Sequence, residues 1–156
     1  MPEGRIPIEF NRGGREPNSK LTHMKPLTVP KILFVDDDPL MHKLYKPHVE
    51  RAGYEWVGAR DGEEAIELAA RESPCMVVID VQMPEKDGLS TVLELKQAVA
   101  TKAIPVIMMT STPEYYIRKR QFTEAGAAIF LTKPFGPGQL LDAISRLLPN
   151  TVKSGR

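Results

Sequence analysis

Five short apolar runs recur along this chain, and amphipathic segments of helical period separate them. The runs lie near residues 31–35, 54–59, 75–79, 104–109 and 128–131. Runs of this length are typical of buried strands, and helices between consecutive strands favour parallel pairing with right-handed crossovers. The sequence therefore predicts an α/β domain, a doubly wound five-stranded parallel sheet with helices on both faces.

Helix-start chemistry follows several of these runs. Asp38-Pro39 is typical of an N-cap followed by proline at the first helical position, and Thr112-Pro113-Glu114 repeats the pattern. Asp61, with Glu64 three residues later, resembles a capping box. Helix C-caps are expected at Gly53 and Gly126. The last helix is predicted to present one apolar face made of Leu140, Leu141, Ile144, Leu147 and Leu148.

One proline conflicts with the helical pattern. Pro47 falls inside the first predicted helix, Leu40 to Arg51. Proline there removes a backbone donor and crowds the carbonyl of Lys43, at a cost of ~3 kcal/mol unless the helix kinks. We therefore expect a bend or an early break in this helix.

Charged and hydroxyl side chains stand at the ends of four of the apolar runs. Asp36-Asp37-Asp38 ends the first, Asp80 the third, Thr110-Ser111 the fourth and Lys133 the fifth. The carboxyl ends of parallel strands meet at one edge of the sheet, so these side chains should converge on one crevice. The set indicates a magnesium-assisted, phosphoryl-accepting site built around Asp80.

The acidic residues supply the ligands that magnesium prefers. Mg²⁺ takes oxygen donors in octahedral geometry and keeps several waters. Asp37 and Asp80 are predicted to bind it directly and Asp36 directly or through water, with the backbone carbonyl of Gln82 completing the protein ligands. Without metal, the crowded carboxylates repel, so at least one pKa among them should rise.

The remaining site residues suit transfer of a phosphoryl group. Asp80 is the best candidate nucleophile, because carboxylates are established acceptors that form aspartyl phosphate. Lys133 would pair with the phosphoryl oxygens as a point charge, and Thr110 would donate a hydrogen bond to one of them. Asp38 is interpreted as a helix cap only.

Composition excludes several other functions. The net charge of +1 gives no electrostatic footprint for nucleic acid or an anionic membrane, and no apolar run is long enough to span a bilayer. The single Cys75 fits a reducing compartment and is interpreted as a small buried residue. His42 and His48 share one helix at a spacing unsuited to a common metal ion.

The ends of the chain differ from its centre. Residues 1–30 have the composition of a flexible tail, and residues up to about 23 contain dipeptides that common cloning sites encode, such as Glu9-Phe10. Residues 31–149 are predicted to form the domain and residues 150–156 a short tail. Few residues follow Lys133, so we expect a stand-alone domain without an output domain.

The chain resembles the receiver domain of bacterial two-component response regulators from about Lys31 to Leu148. The matching motifs are Ile32–Pro39, Asp80 to Pro84 with Asp87-Gly88, Thr110-Ser111, and Gly126–Phe135. The resemblance implies a flavodoxin-like sheet in the order 2-1-3-4-5, with Asp80 phosphorylated by a histidine kinase or phosphotransfer protein. It also implies the magnesium and phosphoryl contacts given above.

The resemblance also implies how the signal leaves the domain. Thr110 and Phe130 stand at the positions of the family's switch pair, and Gln82 and Glu114 fall near positions that tune dephosphorylation. A downstream effector would bind the face formed by the fourth helix, fifth strand and fifth helix. That face carries Tyr115, Tyr116, Arg118 and Lys119. The expected protein is cytoplasmic, a monomer or phosphorylation-dependent dimer, and a signalling phosphoacceptor limited to self-phosphorylation and autodephosphorylation. No nucleic-acid or membrane partner is expected.

Three other interpretations remain open at this point. A haloacid-dehalogenase-type phosphatase would use Asp36 as nucleophile and Asp38 as acid/base, but it leaves Asp80 and its flanking motif unexplained. A flavin carrier of the same fold is disfavoured, because the acidic first loop would repel a phosphate. A pseudo-receiver acting only as an interaction module conflicts with the complete set of site residues.

Overall fold

One parallel sheet forms the centre of the molecule, for which the computed structural model describes residues 28–111 and 118–148. Its strands are β1 Lys31–Val35, β2 Glu55–Ala59, β3 Met76–Asp80, β4 Val106–Thr110 and β5 Ala127–Thr132. They pair in the order β2-β1-β3-β4-β5, and every pair is parallel. The predicted flavodoxin-like strand order is confirmed.

Helices alternate with the strands and cover both faces of the sheet. In the described residues they are α1 Pro39–Arg51, α2 Gly62–Glu72, α3 Gly88–Gln97, α4 Lys119–Ala125 and α5 Pro137–Leu147. One buried cluster joins the sheet to α2, α3 and α4, and it includes Leu68, Leu95 and Phe122. A second joins the sheet to α1 and α5, and it includes Tyr45 and Ile144. The doubly wound architecture therefore follows the predicted alternation.

The strand limits differ from the predicted ones by at most two residues. The largest shift is in β4, which begins at Val106 rather than at residue 104. Pro105 has no backbone N–H to donate to a neighbouring strand, although its carbonyl still accepts from the N–H of Val77 at 3.0 Å. The proline thus marks the start of regular pairing.

The predicted N-caps of α1 and α2 are present. The carboxylate of Asp38 accepts from the N–H of Leu40 at 3.0 Å, and that of Asp61 accepts from the N–H of Glu64 at 2.8 Å. The second half of the predicted capping box is wrong by one residue. The Glu64 carboxylate accepts from the N–H of Arg60 at 2.8 Å, because its side chain reaches past the N-cap.

Glycines follow α1 and α4 as predicted, with φ angles that favour glycine. Gly53 has a φ of 104° and Gly126 a φ of 127°. On α5 the predicted apolar face is confirmed: Leu140 and Ile144 are buried, and the second cluster is completed by the partly buried Leu141, Leu147 and Leu148. The predicted cap at residues 112–114 lies outside the described residues.

Of the bend or early break expected at Pro47, the break is absent and the bend stays a prediction. Helix α1 runs for 13 residues and ends at Arg51, four residues beyond the proline. Tyr45 and Val49, which flank Pro47, are 1% and 0% exposed in the core. Because these two anchors fix both sides of the proline, packing maintains the helix despite the lost hydrogen bond.

Two further predictions concern the single cysteine and the absence of a membrane-spanning segment. Cys75 is half-buried, and burial raises the pKa of its thiol to about 11, so the thiol stays protonated. The thiol donates to the carbonyl of Lys31 at 3.3 Å, which supports a packing role. Among the described residues, no helix has both the length and the apolar character needed to cross a membrane.

Candidate functional site

The predicted site residues meet at the C-terminal edge of the sheet. Asp36 directly follows β1, Asp80 ends β3, Thr110 ends β4 and Lys133 directly follows β5. Asp36 is 1% exposed, Asp80 5% and Thr110 0%. Two carboxylates and a hydroxyl are therefore buried together, at a place where their charges and dipoles act through little water.

The motif Asp87-Gly88 brings α3 against Asp80. A Cβ at position 88 would lie 2.4 Å from the carbonyl oxygen of Asp80 and 2.8 Å from the Cα of Val81, so only glycine fits this approach. The N–H of Gly88 donates to the carbonyl of Val81 at 2.9 Å. Asp87 caps α3 by accepting from the N–H of Ser90 at 2.8 Å. The motif thus fixes the loop that follows the candidate nucleophile.

Lys133 reaches across the sheet edge to both buried carboxylates. Its Nζ lies 2.9 Å from Oδ2 of Asp36 and 3.4 Å from Oδ2 of Asp80. Its backbone N–H donates to the carbonyl of Thr110 at 2.7 Å, which ties the loop after β5 to the end of β4. The ammonium group is therefore held between the two acids.

Burial shifts the protonation of this cluster. Desolvation raises the pKa of Asp80 to about 6; Lys133 opposes the shift and the charge of Asp36 adds to it. Desolvation also acts to lower the pKa of Lys133, but the hydrogen bond to Asp36 and the charge of Asp80 outweigh it, so that pKa is raised. The predicted rise of a carboxyl pKa is confirmed, with burial rather than repulsion as its main cause.

Three carboxylates are placed so that they could bind one metal ion. Asp36, Asp37 and Asp80 each offer an oxygen, and these oxygens lie within 4.8 Å of one another. One oxygen of Asp36 accepts from the N–H of Asp38 at 2.9 Å, and one of Asp80 accepts from the N–H of Gln82 at 3.2 Å. These bonds fix the orientation of two candidate ligands. The role of the Gln82 carbonyl stays a prediction.

Phe130 lies on β5, next to the strand that ends in Thr110. It is half-buried and packs against the cluster under α2, α3 and α4. Its ring stacks on that of Phe122 at a centroid distance of 5.7 Å. The role of Thr110 and Phe130 as a switch pair stays a prediction, and so does the effector face. Tyr115, Tyr116 and Glu114 lie outside the described residues.

Two residues of α1 contact the loops after β1 and β5, and these contacts were not predicted from the sequence. His42 Nε2 lies 2.8 Å from the carbonyl oxygen of Asp36, and the Tyr45 hydroxyl donates to the carbonyl of Phe135 at 2.6 Å. Their spacing of three residues places them on one face of the helix. That spacing was the available signal, but it gave no sign of the loops they would meet.

The polar side chain of Gln82 also has a partner at the mouth of the crevice. Ser111 Oγ donates to Oε1 of Gln82 at 3.2 Å, which joins the loops after β4 and β3. The sequence placed Ser111 only as the neighbour of Thr110. The pairing could not be read from the sequence because the two residues are 29 positions apart.

The sheet order and the acidic crevice place this molecule among flavodoxin-like α/β domains with a carboxylate cluster that could bind a metal ion. A family model described as the response regulator receiver domain matches residues 32–145. The chain belongs to this family of receiver domains.

Curated proteins with similar sequences include transcriptional regulators. The chain is 36% identical over 118 residues to the alkaline phosphatase synthesis transcriptional regulatory protein PhoP of Bacillus subtilis, covering 76% of this chain and 48% of PhoP. It is 33% identical over 123 residues to the DNA-binding dual master transcriptional regulator RpaA of Synechocystis, and the match covers 79% of this chain and 51% of RpaA. The chain thus spans about half the length of these curated relatives.

A solved structure agrees with the fold. The chemotaxis protein CheY4 of Vibrio cholerae superposes with a TM-score of 0.71 at 31% identity, covering 77% of this chain and 99% of that one. Together these matches identify a receiver domain of response-regulator signalling, which acts as a signalling phosphoacceptor. The phosphatase and pseudo-receiver alternatives are not favoured.

Proposed function

We propose that this receiver domain accepts a phosphoryl group on a carboxylate oxygen of Asp80 and signals through the resulting change. One observation carries the proposal: Asp80 is buried 3.4 Å from the ammonium of Lys133, with the carboxylates of Asp36 and Asp37 close by. A carboxylate accepts an anionic phosphoryl group only where positive charge is held ready to offset the repulsion.

Asp36, Asp37 and Asp80 would hold magnesium, with the backbone carbonyl of Gln82 as a fourth ligand. The fit is supported by hard oxygen donors lying within 4.8 Å of one another. Three carboxylates against one ammonium also leave an excess of negative charge, which a divalent cation matches. Bound there, the metal would neutralise charge between the carboxylates and the incoming phosphoryl oxygens.

The residues of the chain then carry the transfer. An oxygen of Asp80 forms a bond to phosphorus as the bond from phosphorus to the imidazole nitrogen of a phosphohistidine breaks, and the electron pair returns to that nitrogen. Lys133 moves from Asp36 towards the phosphoryl oxygens, and the hydroxyl of Thr110 donates to one of them. Autodephosphorylation is the attack of water on the same phosphorus, with Asp80 leaving as a carboxylate.

Thr110 and Phe130 would pass the change to the surface. The new phosphoryl oxygens on Asp80 attract the Thr110 hydroxyl, and the space this vacates favours an inward ring of Phe130. The half-buried position of Phe130 beside Phe122 supports such a path to α4. The face formed by α4, β5 and α5, which includes Arg118 and Lys119, would then bind the effector.

The phosphodonor would be a histidine kinase or a phosphotransfer protein, which binds near the crevice. Leu40 and Leu44 lie one turn apart on α1 and are 67% and 49% exposed. Helix α1 begins shortly after Asp37, so this apolar strip adjoins the site. An exposed strip of this kind suits a transient partner with an apolar helical surface.

The cellular setting is proposed on the same basis. The protein would act in the cytoplasm, as a monomer or phosphorylation-dependent dimer, with residues 31–149 as the receiver domain. A kinase and an effector protein would be its partners, rather than nucleic acid or membrane. The chemistry of the domain would be limited to self-phosphorylation and autodephosphorylation.

The phosphatase alternative requires Asp38 to act as an acid/base. The carboxylate of Asp38 instead caps α1 by accepting from the N–H of Leu40 at 3.0 Å, which occupies it structurally. Lys133 lies near both Asp36 and Asp80, so it does not distinguish the two candidate nucleophiles. The cap formed by Asp38 is the contact that disfavours the phosphatase.

Labelling with a small phosphodonor tests the proposal. Incubation with acetyl phosphate and magnesium should add one phosphoryl group to the intact protein, detected by mass spectrometry. Asp80→Asn should abolish the addition, whereas Asp142→Asn, which changes an exposed aspartate on α5, should leave it intact. Labelling that survives in Asp80→Asn but disappears in Asp36→Asn, together with turnover of a generic phosphate ester, would support the phosphatase instead.

A further inference from the structure

Helix α1 is hydrogen-bonded to the loop that carries Lys133. The hydroxyl of Tyr45 donates to the carbonyl of Phe135 at 2.6 Å, and the two rings stack at a centroid distance of 5.0 Å and an interplanar angle of 18°. Tyr45 is 1% exposed and Phe135 5%. The hydrogen bond is therefore formed out of contact with bulk water, where its geometry is most restrictive.

This hydrogen bond holds the loop at a second point, besides its contact with β4. The backbone N–H of Lys133 is already held by the carbonyl of Thr110 at 2.7 Å. Phe135, two residues later, is held by Tyr45 from α1. Because its main chain is hydrogen-bonded at two points, the loop leaves Lys133 few ways to place its ammonium between Asp36 and Asp80.

Helix α1 also contacts the loop after β1, which carries Asp36. His42 Nε2 lies 2.8 Å from the carbonyl oxygen of Asp36, one turn before Tyr45. Helix α1 thus contacts both of the loops whose charged side chains form the 2.9 Å pair of Asp36 and Lys133. Burial raises the pKa of Tyr45, so its hydroxyl remains a donor at neutral pH.

We infer that Tyr45 is a positioning residue for Lys133 in phosphoryl transfer, acting through its hydrogen bond to the Phe135 carbonyl. The inference rests on the proposed function of Asp80 and Lys133. Phenylalanine at position 45 would fill the core and stack on Phe135 equally well. The hydroxyl therefore adds an anchor for the loop that apolar packing alone does not supply.

Removing one oxygen atom tests the inference. Tyr45→Phe is compared with Tyr54→Phe, which removes the same atom from a tyrosine in the same buried cluster. Tyr54 directly precedes β2, the edge strand opposite to β5, which Lys133 follows. The initial rate of labelling by acetyl phosphate at saturating magnesium should fall roughly three- to tenfold in Tyr45→Phe, from the loss of one buried hydrogen bond. The magnesium dissociation constant should change by less than about twofold in either variant. The initial rate of labelling in Tyr54→Phe should also change by less than about twofold.

A double substitution separates positioning from general loosening. In a Lys133→Arg background, Tyr45→Phe should lower the rate by less than about twofold, because the residue it acts through has already been replaced. A loss of the same size in both backgrounds overturns the inference. So does a rate in Tyr45→Phe that matches the wild type, or an equal loss in Tyr54→Phe.

A measurement on the wild-type protein does not depend on the folding of any variant. Beryllofluoride with magnesium should draw Lys133 from Asp36, so the assigned ring signals of Tyr45 should shift in NMR spectra while those of Tyr54 stay in place. Unmoved Tyr45 signals contradict the inference even if Asp80 is labelled normally. If the wild type takes no label at all, the proposed function fails, and this inference fails with it.

Discussion

The ammonium of Lys133 lies 2.9 Å from a carboxylate oxygen of Asp36, a residue 97 positions earlier in the chain. Asp36 is 1% exposed, so bulk water cannot replace the ammonium as its partner. A buried charge left without its partner is strongly destabilising, whereas the intact pair contributes little net stability. The pair is therefore a point at which the site and the stability of the fold are linked.

Lys133→Ala should destabilise the protein without metal by about 3–5 kcal/mol, because it leaves Asp36 buried and unpaired. Magnesium should recover part of this loss by supplying positive charge to the same carboxylate. Urea unfolding in EDTA and in magnesium measures both effects. Lys46→Ala, which breaks an exposed pair with Glu50, should cost less than about 1 kcal/mol and respond little to magnesium. Equal losses in the two variants would contradict this account.

Asp80→Asn should stabilise the metal-free protein at neutral pH. Burial raises the pKa of Asp80 from 3.8 to about 6, so between these values the folded state binds the proton more tightly than the unfolded state. The contribution of Asp80 to the free energy of unfolding therefore falls as the pH rises through this window, by about 1–3 kcal/mol. The amide that replaces the carboxyl group in Asp80→Asn carries no charge, so the variant escapes this loss.

The comparison is made by unfolding both proteins in EDTA from pH 4 to pH 7. The stability gained by Asp80→Asn should grow across this range and level off above about pH 6. Asp142→Asn on the exposed surface of α5 serves as the control and should show no comparable trend. A constant difference between wild type and Asp80→Asn would mean that the pKa of Asp80 is not raised.

Asp37→Ala should abolish both magnesium binding and phosphorylation and leave the fold intact. Asp37 is exposed, so its removal disturbs little packing, yet it supplies one of three convergent ligand oxygens. Magnesium binding by the wild type should be weak, because waters fill most of the coordination shell. Calorimetry or NMR titration gives the affinity, and Asp142→Ala is the matched control. Unchanged affinity in Asp37→Ala would refute the ligand assignment.

Beryllofluoride should perturb a face of the domain remote from the metal. If Thr110 and Phe130 act as the switch pair, amide signals of residues 110–122 and 128–135 should move more than those of α1 and α2 away from the site. Two-dimensional NMR of labelled protein measures this directly. Changes confined to residues beside the carboxylates, with α4 and β5 silent, would remove the support for the proposed output face.

The architecture could be predicted because its signals are local. Each strand is a short apolar run, and each site residue follows a strand, so parallel topology alone brings Asp36, Asp80, Thr110 and Lys133 to one edge. Asp87-Gly88 was visible as a motif. Its physical cause, the close approach of Gly88 to the Asp80 carbonyl, appears only in three dimensions.

The features that the sequence could not show depend on tertiary contacts. An early break, one of the two outcomes expected at Pro47, is prevented because Tyr45 and Val49 are anchored in the core on either side of it. The bond from Tyr45 to the Phe135 carbonyl joins residues 90 positions apart, and no local pattern encodes it. The direction of the pKa change was predictable from crowding, but its main cause, burial of Asp80, required the fold.

Chemical mapping of the phosphorylated residue tests the central claim most directly. Borohydride reduces an aspartyl phosphate to homoserine, which peptide mass spectrometry locates after labelling with acetyl phosphate and magnesium. The account predicts homoserine at position 80 and an unmodified aspartate at position 36. Homoserine at position 36, with Asp80 unchanged, would contradict it.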